Sequence, residues 1–444
     1  MIVIDNAYVA TVSGPEYENG HVAIEGNRIA SVGAGSAPGS GAATRIDATG
    51  CLVTPGLVNT HHHLYQWLTR GLVQDGTLFE WLTTLYPVWA RIDAETVHAG
   101  AAANLGWLAL SGCTTSTDHH YVFPHDGGDL LEAEITAASG LGVRFHPTRG
   151  SMDLGQSQGG LPPDEIVEDR DTILSETEVA IDRWHDPSPD AMLRIAVAPC
   201  SPFSVTGDLM REAAELARRK GVRLHTHLAE TIDEQDFCRE KFNRTPAEYV
   251  EDLGWLGNDV WLAHCVHLDD AAIKRFAATG TGVAHCPTSN GRLGSGSARV
   301  RDLLDASVPV GMGVDGSASN EANRLVDELQ AALTVARLRG GPSALTAREA
   351  LRMGTVGGAR CLGRDVELGS LERGKLADVA VWRVDGLGAA GGVDPVWTLA
   401  FGRPPLECLI VDGEVIVERG ELVRADARAL AADAARASQK VMQP

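Results

Sequence analysis

No two of the eight cysteines lie three positions apart, so the chain has no Cys-x-x-Cys pair. Eight scattered cysteines in 444 residues do not make a disulfide framework. Reduced, mostly buried thiols in a cytoplasmic protein are expected. The same gap excludes the cytidine-deaminase type of zinc site, which needs Pro-Cys-x-x-Cys with His-x-Glu. Basic residues are also scarce. Against 59 Asp and Glu there are 38 Lys and Arg, a formal charge of −21. Such a surface repels phosphate backbones, which argues against DNA or RNA as a partner. No apolar run approaches the ~20 residues of a membrane span. The opening "MIVIDNAYVATVSG" lacks the basic-then-apolar order of a signal peptide. Neither a nucleic-acid nor a membrane partner is expected.

What is present has two rhythms. The first stretches, "MIVIDNAYVATV", "HVAIEGNRIASVG" and "TRIDATGCLVTPG", alternate like strands. So do "KLADVAVWRVD" and "LECLIVDGEVIVERGELV" near the end, where "VDGEV" is a hairpin signal. These flanks predict a small β-sandwich built from both termini, residues 1–54 and 366–424, followed by a helix-prone tail, 425–444. Between them, apolar runs alternate with helical stretches such as "DLMREAAELARRKG". Eight of these runs end in polar clusters: "CLVTPGLVNTHHH", "GCTTSTDHH", "GVRFHPTRGS", "LRIAVAPCSPFS", "GVRLHTHLAE", "DVWLAHCVH", "GTGVAHCPTSN" and "VPVGMGVDGSASN". Strand–helix alternation implies parallel pairing through crossovers. Eight units fit a (β/α)₈ TIM barrel over 55–365, an α/β fold whose sites collect at the C-terminal strand ends.

His61 and His63, two apart, share one face of an extended strand, with His62 on the other. His225 and His227 repeat the arrangement, and Glu230 follows three residues after His227. Asp315 ends the apolar run "VPVGMGVD", where burying it requires pairing or a cation. Three neutral imidazoles and one carboxylate suit Zn²⁺ or a similar ion.

The ordered segments "PGLVNTHHHL", "HTHLAE", "LAHCVHL", "GVAHCPTSN", "GMGVDGSASN" and "GSLERGKLADVAV" resemble the amidohydrolase superfamily, in its aminohydrolase branch. The resemblance spans nearly the whole chain. It implies one divalent ion, Zn²⁺ or Fe²⁺, held by His61, His63, His227 and Asp315. Glu230 matches the proton shuttle, and His264 the sixth-strand histidine that polarises water or substrate. The fourth run lacks lysine, which fits the single-metal class. The implied reaction is hydrolytic deamination of a small aromatic heterocycle, with Asp315 accepting the proton of water.

Gln66 and Arg149 are candidate substrate contacts at the first and third strand ends. The segments around them look most like those of 8-oxoguanine deaminases, which implies conversion of 8-oxoguanine to urate and ammonia. Pterin deamination and triazine hydrolysis are the alternatives. Gly291 stands where a larger residue is expected and would enlarge the pocket. Trp67, Trp81 and Trp89 surround a first loop long enough to act as a lid, where these aromatics either cover a flat substrate or pack the core. A homo-oligomer is expected.

Overall fold

The computed structural model describes residues 1–37 and 44–443. The segment Gly207–Lys220 illustrates how the middle of the chain folds. Thr206 caps it by accepting the Leu209 N–H, and its apolar stripe, including Leu209, Met210, Ala213 and Ala217, is buried. Helices of this kind connect eight parallel strands that close into a barrel. The strands are β1 (Leu57–Asn59), β2 (Cys113–His120), β3 (Arg144–Ser151), β4 (Ala196–Pro199), β5 (Leu224–Leu228), β6 (Val260–His264), β7 (Gly282–His285) and β8 (Val310–Met312). The chain therefore has the (β/α)₈ architecture.

β8 and β1 close the barrel through one backbone register pair, Met312 with Asn59. Side chains reinforce this short seam. Asn59 Oδ1 accepts the Val314 N–H at 3.0 Å, and Thr60 Oγ1 donates to the Met312 carbonyl at 2.8 Å.

The run "CLVTPGLVN" divides into two strands rather than one. Cys51–Pro55 pairs antiparallel with Val379–Arg383 outside the barrel, and Leu57–Asn59 enters the barrel. Gly56 separates them, and a Cβ there would lie 2.1 Å from the Thr114 side chain. Strands from both ends of the chain thus join one mixed sheet of nine strands. Ile4, Val22, Val53, Val379, Val381 and Ile410 form its buried core. The "VDGEV" hairpin turns at Asp412 (φ 52°) and Gly413 (φ 80°), the double left-handed turn that suits strand twist.

The tail forms the helix Ala427–Met442. It packs beside the turn Leu64–Thr69, where Ser438 Oγ donates to the Leu68 carbonyl at 2.6 Å. Among the described residues no helix is long and apolar enough to cross a membrane. All eight cysteines are buried and unpaired.

Candidate metal centre and active site

A neutral imidazole has one N–H and one bare nitrogen, and its partners decide which is which. His63 Nδ1 lies 2.7 Å from the His119 carbonyl, and His227 Nδ1 lies 2.7 Å from the Cys200 carbonyl. Carbonyls only accept, so both Nδ1 atoms carry the proton and both Nε2 atoms are bare. His61 is fixed through a relay. His225 Nδ1 donates to the Trp261 carbonyl at 2.8 Å, so its bare Nε2 accepts from His61 Nδ1 at 2.8 Å. That leaves His61 Nε2 buried with neither proton nor partner. Burial holds all four imidazoles below their usual pKa, His63 at about 4 and His225 at about 3.

The bare nitrogens of His61 and His63 face one carboxylate, and that of His227 faces His63. His63 Nε2 lies 3.1 Å from His227 Nε2, with no proton to place between them. Asp315 Oδ1 lies 3.4 Å from His61 Nε2 and 3.3 Å from His63 Nε2. Burial pushes the Asp315 carboxyl up, and only positive charge around it, as on protonated neighbouring imidazoles, holds it well below the usual range; with those imidazoles neutral, a cation must supply that charge. Acceptors this close repel one another unless a cation sits among them. Tetrahedral zinc with ~2.0–2.1 Å bonds spaces its ligand atoms about 3.3–3.4 Å apart. The donor types and these three spacings therefore fit a single divalent ion.

Glu230 and His264 stand beside this cluster. His264 Nε2 lies 3.6 Å from Glu230 Oε2 and 3.9 Å from Asp315 Oδ2, while its Nδ1 donates to Asn290 Oδ1 at 2.9 Å. Burial lowers the His264 pKa, but Glu230 and Asp315 outweigh it, and the net shift is upward. Burial also raises the Glu230 carboxyl. Together they form an acid–base pair that can share a proton next to Asp315. The backbone is strained where it aims these groups. Ala229 (φ 50°), His264 (φ 68°), Cys265 (φ 49°) and Asp315 (φ 63°) are all left-handed without being glycine. Glu234 secures the first of these bends, its carboxylate accepting the N–H groups of Ala229 at 2.8 Å and Glu230 at 2.9 Å.

Above the cluster lies a narrow cavity of about 30 Å³. Polar groups form its floor, and Phe203 and Leu293 contribute to apolar walls. The helix Leu78–Trp89, from the loop after β1, contributes Trp81 and Tyr86. Cys200 also lines the cavity, but burial raises its thiol to about 12, so it is no nucleophile.

The amidohydrolase family pattern matches residues 52–416. The chain belongs to the amidohydrolase family. An 8-oxoguanine deaminase from Pseudomonas aeruginosa is 46% identical over 393 residues, covering 88% of this chain and 87% of that protein. An isoxanthopterin deaminase from an unidentified prokaryote is 38% identical, covering 97% of this chain and 93% of that protein. The atrazine chlorohydrolase of Arthrobacter aurescens TC1, solved with zinc, superposes with a TM-score of 0.94 at 35% identity, covering 99% and 100% of the two chains. This amidohydrolase is accordingly a metal-dependent hydrolase acting on carbon–nitrogen bonds.

Of the residues singled out in the sequence, His63, His227, Asp315, Glu230, His264 and Gln66 line this one cavity. His61 is fully buried at its floor. Arg149 departs from the expectation. Its guanidinium binds both oxygens of Glu168 at 2.8 and 2.7 Å and stacks over Phe123 at 3.8 Å, outside the cavity. Gly291 also departs from it, since the residue is exposed and it is Leu293 that reaches the cavity. His62 points away, as alternation predicts, with Nε2 on Asn104 Oδ1 at 3.1 Å. Sequence reasoning missed the ordering roles of His225, Asn290 and Glu234. The His-x-His spacing was the available signal for His225.

Proposed function

We propose that this amidohydrolase is a hydrolytic deaminase of a small oxo-amino heterocycle, with 8-oxoguanine as substrate and urate and ammonia as products. In this reading His61, His63, His227 and Asp315 hold one Zn²⁺. The observation that carries it is the Glu230–His264 pair at 3.6 Å beside Asp315, because an amine must be protonated to leave.

When bound, the ion supplies a water acidified towards a pKa of ~7. Asp315 Oδ2 takes the proton released by the attacking water, and Ser289 Oγ, donating at 2.6 Å, fixes that oxygen. His264, protonated at Nε2, stabilises the charge developing on the new carbon–oxygen bond. Glu230 delivers a proton to the ring nitrogen as electrons move there, relays the proton held by Asp315 to the exocyclic amine, and regains its own from the new hydroxyl as the carbonyl forms. The ring gains one oxygen, ammonia departs, and each residue recovers its starting state. Gln66 orients the ring edge. Reduced buried thiols support a cytoplasmic location, and the proposed assembly is a homo-oligomer.

The test follows loss of the substrate's ultraviolet absorbance together with released ammonia. Stoichiometric ammonia from 8-oxoguanine is expected. Turnover of isoxanthopterin or a triazine with 8-oxoguanine inert would overturn the substrate.

A further inference from the structure

The roof of the cavity contains a polar group that the proposed chemistry does not use. Tyr86 lies on the helix Leu78–Trp89, is fully buried, and lines the cavity. Its hydroxyl has no hydrogen-bond partner among the described residues. The neighbouring indoles on that helix are both satisfied, Trp81 Nε1 donating to the Ala318 carbonyl at 3.2 Å and Trp89 Nε1 to Thr69 Oγ1 at 3.1 Å. The helix is thus anchored through its tryptophans, and Tyr86 is left free. Leaving a buried hydroxyl unpaired is costly. Burial keeps the phenol protonated, so it has a hydrogen to give. Across the same cavity Gln66, buried to 1% exposure, has an Oε1 that is likewise unpartnered.

Two buried, unpartnered polar atoms thus belong to residues lining the cavity, a donor on Tyr86 and an acceptor on Gln66. A ring lactam, N–H beside C=O, presents the complementary pair. We propose that Tyr86 is a specificity-determining residue whose hydroxyl donates to a ring carbonyl remote from the departing amine, while Gln66 Oε1 accepts the adjacent ring N–H. The inference rests on the deaminase reading and narrows it to rings with a second lactam.

The experiment uses the zinc-loaded full chain and Tyr86→Phe, on two matched pairs: 8-oxoguanine with guanine, and isoxanthopterin with pterin. Within each pair the rings differ by one lactam away from the amine. Tyr86→Phe should lower kcat/KM on the lactam-bearing member by about 10- to 100-fold, mainly through KM. On the other member the change should stay within about two-fold. Equal losses across a pair, or no loss on either, overturn the role of Tyr86 while leaving the deaminase standing. If the wild type releases ammonia from none of the four rings, both readings fall. Calorimetry on the wild type gives an answer that needs no variant to fold. Urate should bind about 10-fold or more tightly than xanthine, and equal affinities overturn the proposal.

Discussion

At the mouth of the barrel, His61, His63 and His227 turn their protons outward and leave their lone pairs facing one another. The neighbouring cluster of Asp118, His120 and Glu134 is just as buried but filled differently. His120 Nε2 donates to the Val122 carbonyl at 2.9 Å, and its Nδ1 lies 2.8 Å from Glu134 Oε1. Burial lowers the imidazole to about 4 and raises the Glu134 carboxyl to about 8. The contact is therefore a carboxylic acid donating to a neutral imidazole rather than an ion pair. Burial raises Asp118 as well, and its Oδ1 accepts the Leu64 N–H at 2.6 Å, one residue past His63. In one cluster the acids keep their protons. In the other the acid is an anion and the remaining positive charge must come from an ion. The tautomers, rather than the residue types, set the two apart.

The comparison breaks most completely if the first cluster binds metal without its histidines. His61→Ala with His227→Ala should abolish tightly bound divalent ion, whereas Glu134→Gln should keep about one ion per chain. Elemental analysis of dialysed protein decides it, and full occupancy in the double variant would remove these residues as ligands. Next in size is the acid beside the ion. Glu230→Gln should retain the metal and lose at least ~10²-fold in turnover. Rates like the wild type's would take Glu230 out of proton transfer.

A smaller effect concerns the bend at Ala229. Gln at 234 has one oxygen where the carboxylate accepts two backbone N–H groups, so Glu234→Gln frees one of them. Turnover should fall about 10-fold, the measure of roughly 1.4 kcal/mol, with metal content intact and KM little changed. A loss confined to KM would show that Glu234 shapes binding instead of orienting Glu230.

These residues differ in how visible they are before folding. A two-residue period places His61 with His63, and His225 with His227, on one face. It cannot give depth along the barrel. His227 reaches the cavity, whereas His225 lies one step deeper against Trp261 and orients His61. Asp315 was legible because a carboxylate after an apolar strand needs a partner. Arg149 misled for the converse reason. Its partner Glu168 lies beyond β3, in a segment with no strand or helix signal to bring the two together. The (β/α)₈ order was readable from alternation alone. The break at Gly56 was not, since only the approach of Thr114 shows why a Cβ is excluded there.

The smallest effect tests the proton-filled cluster directly. Glu134 has its pKa raised from 4.5 to about 8, with burial as the cause. A raised acid binds its proton more tightly when folded. Its contribution to stability is complete below about pH 4.5 and is lost as pH rises through about 8. Glutamine stays neutral throughout and its amide can still donate to His120 Nδ1. Glu134→Gln should therefore match the wild type near pH 5 and gain on it as pH rises, by roughly 2–6 °C in Tm at pH 9. Metal affinity also changes with pH, but the same ion is present in both proteins, so the difference between the two melting curves isolates Glu134. Asp118 titrates in both and leaves a shared residual slope. A gap that stays constant from pH 5 to pH 9 would mean that Glu134 is already ionised at neutral pH. The second cluster would then carry a buried charge, and the contrast with the metal centre would collapse.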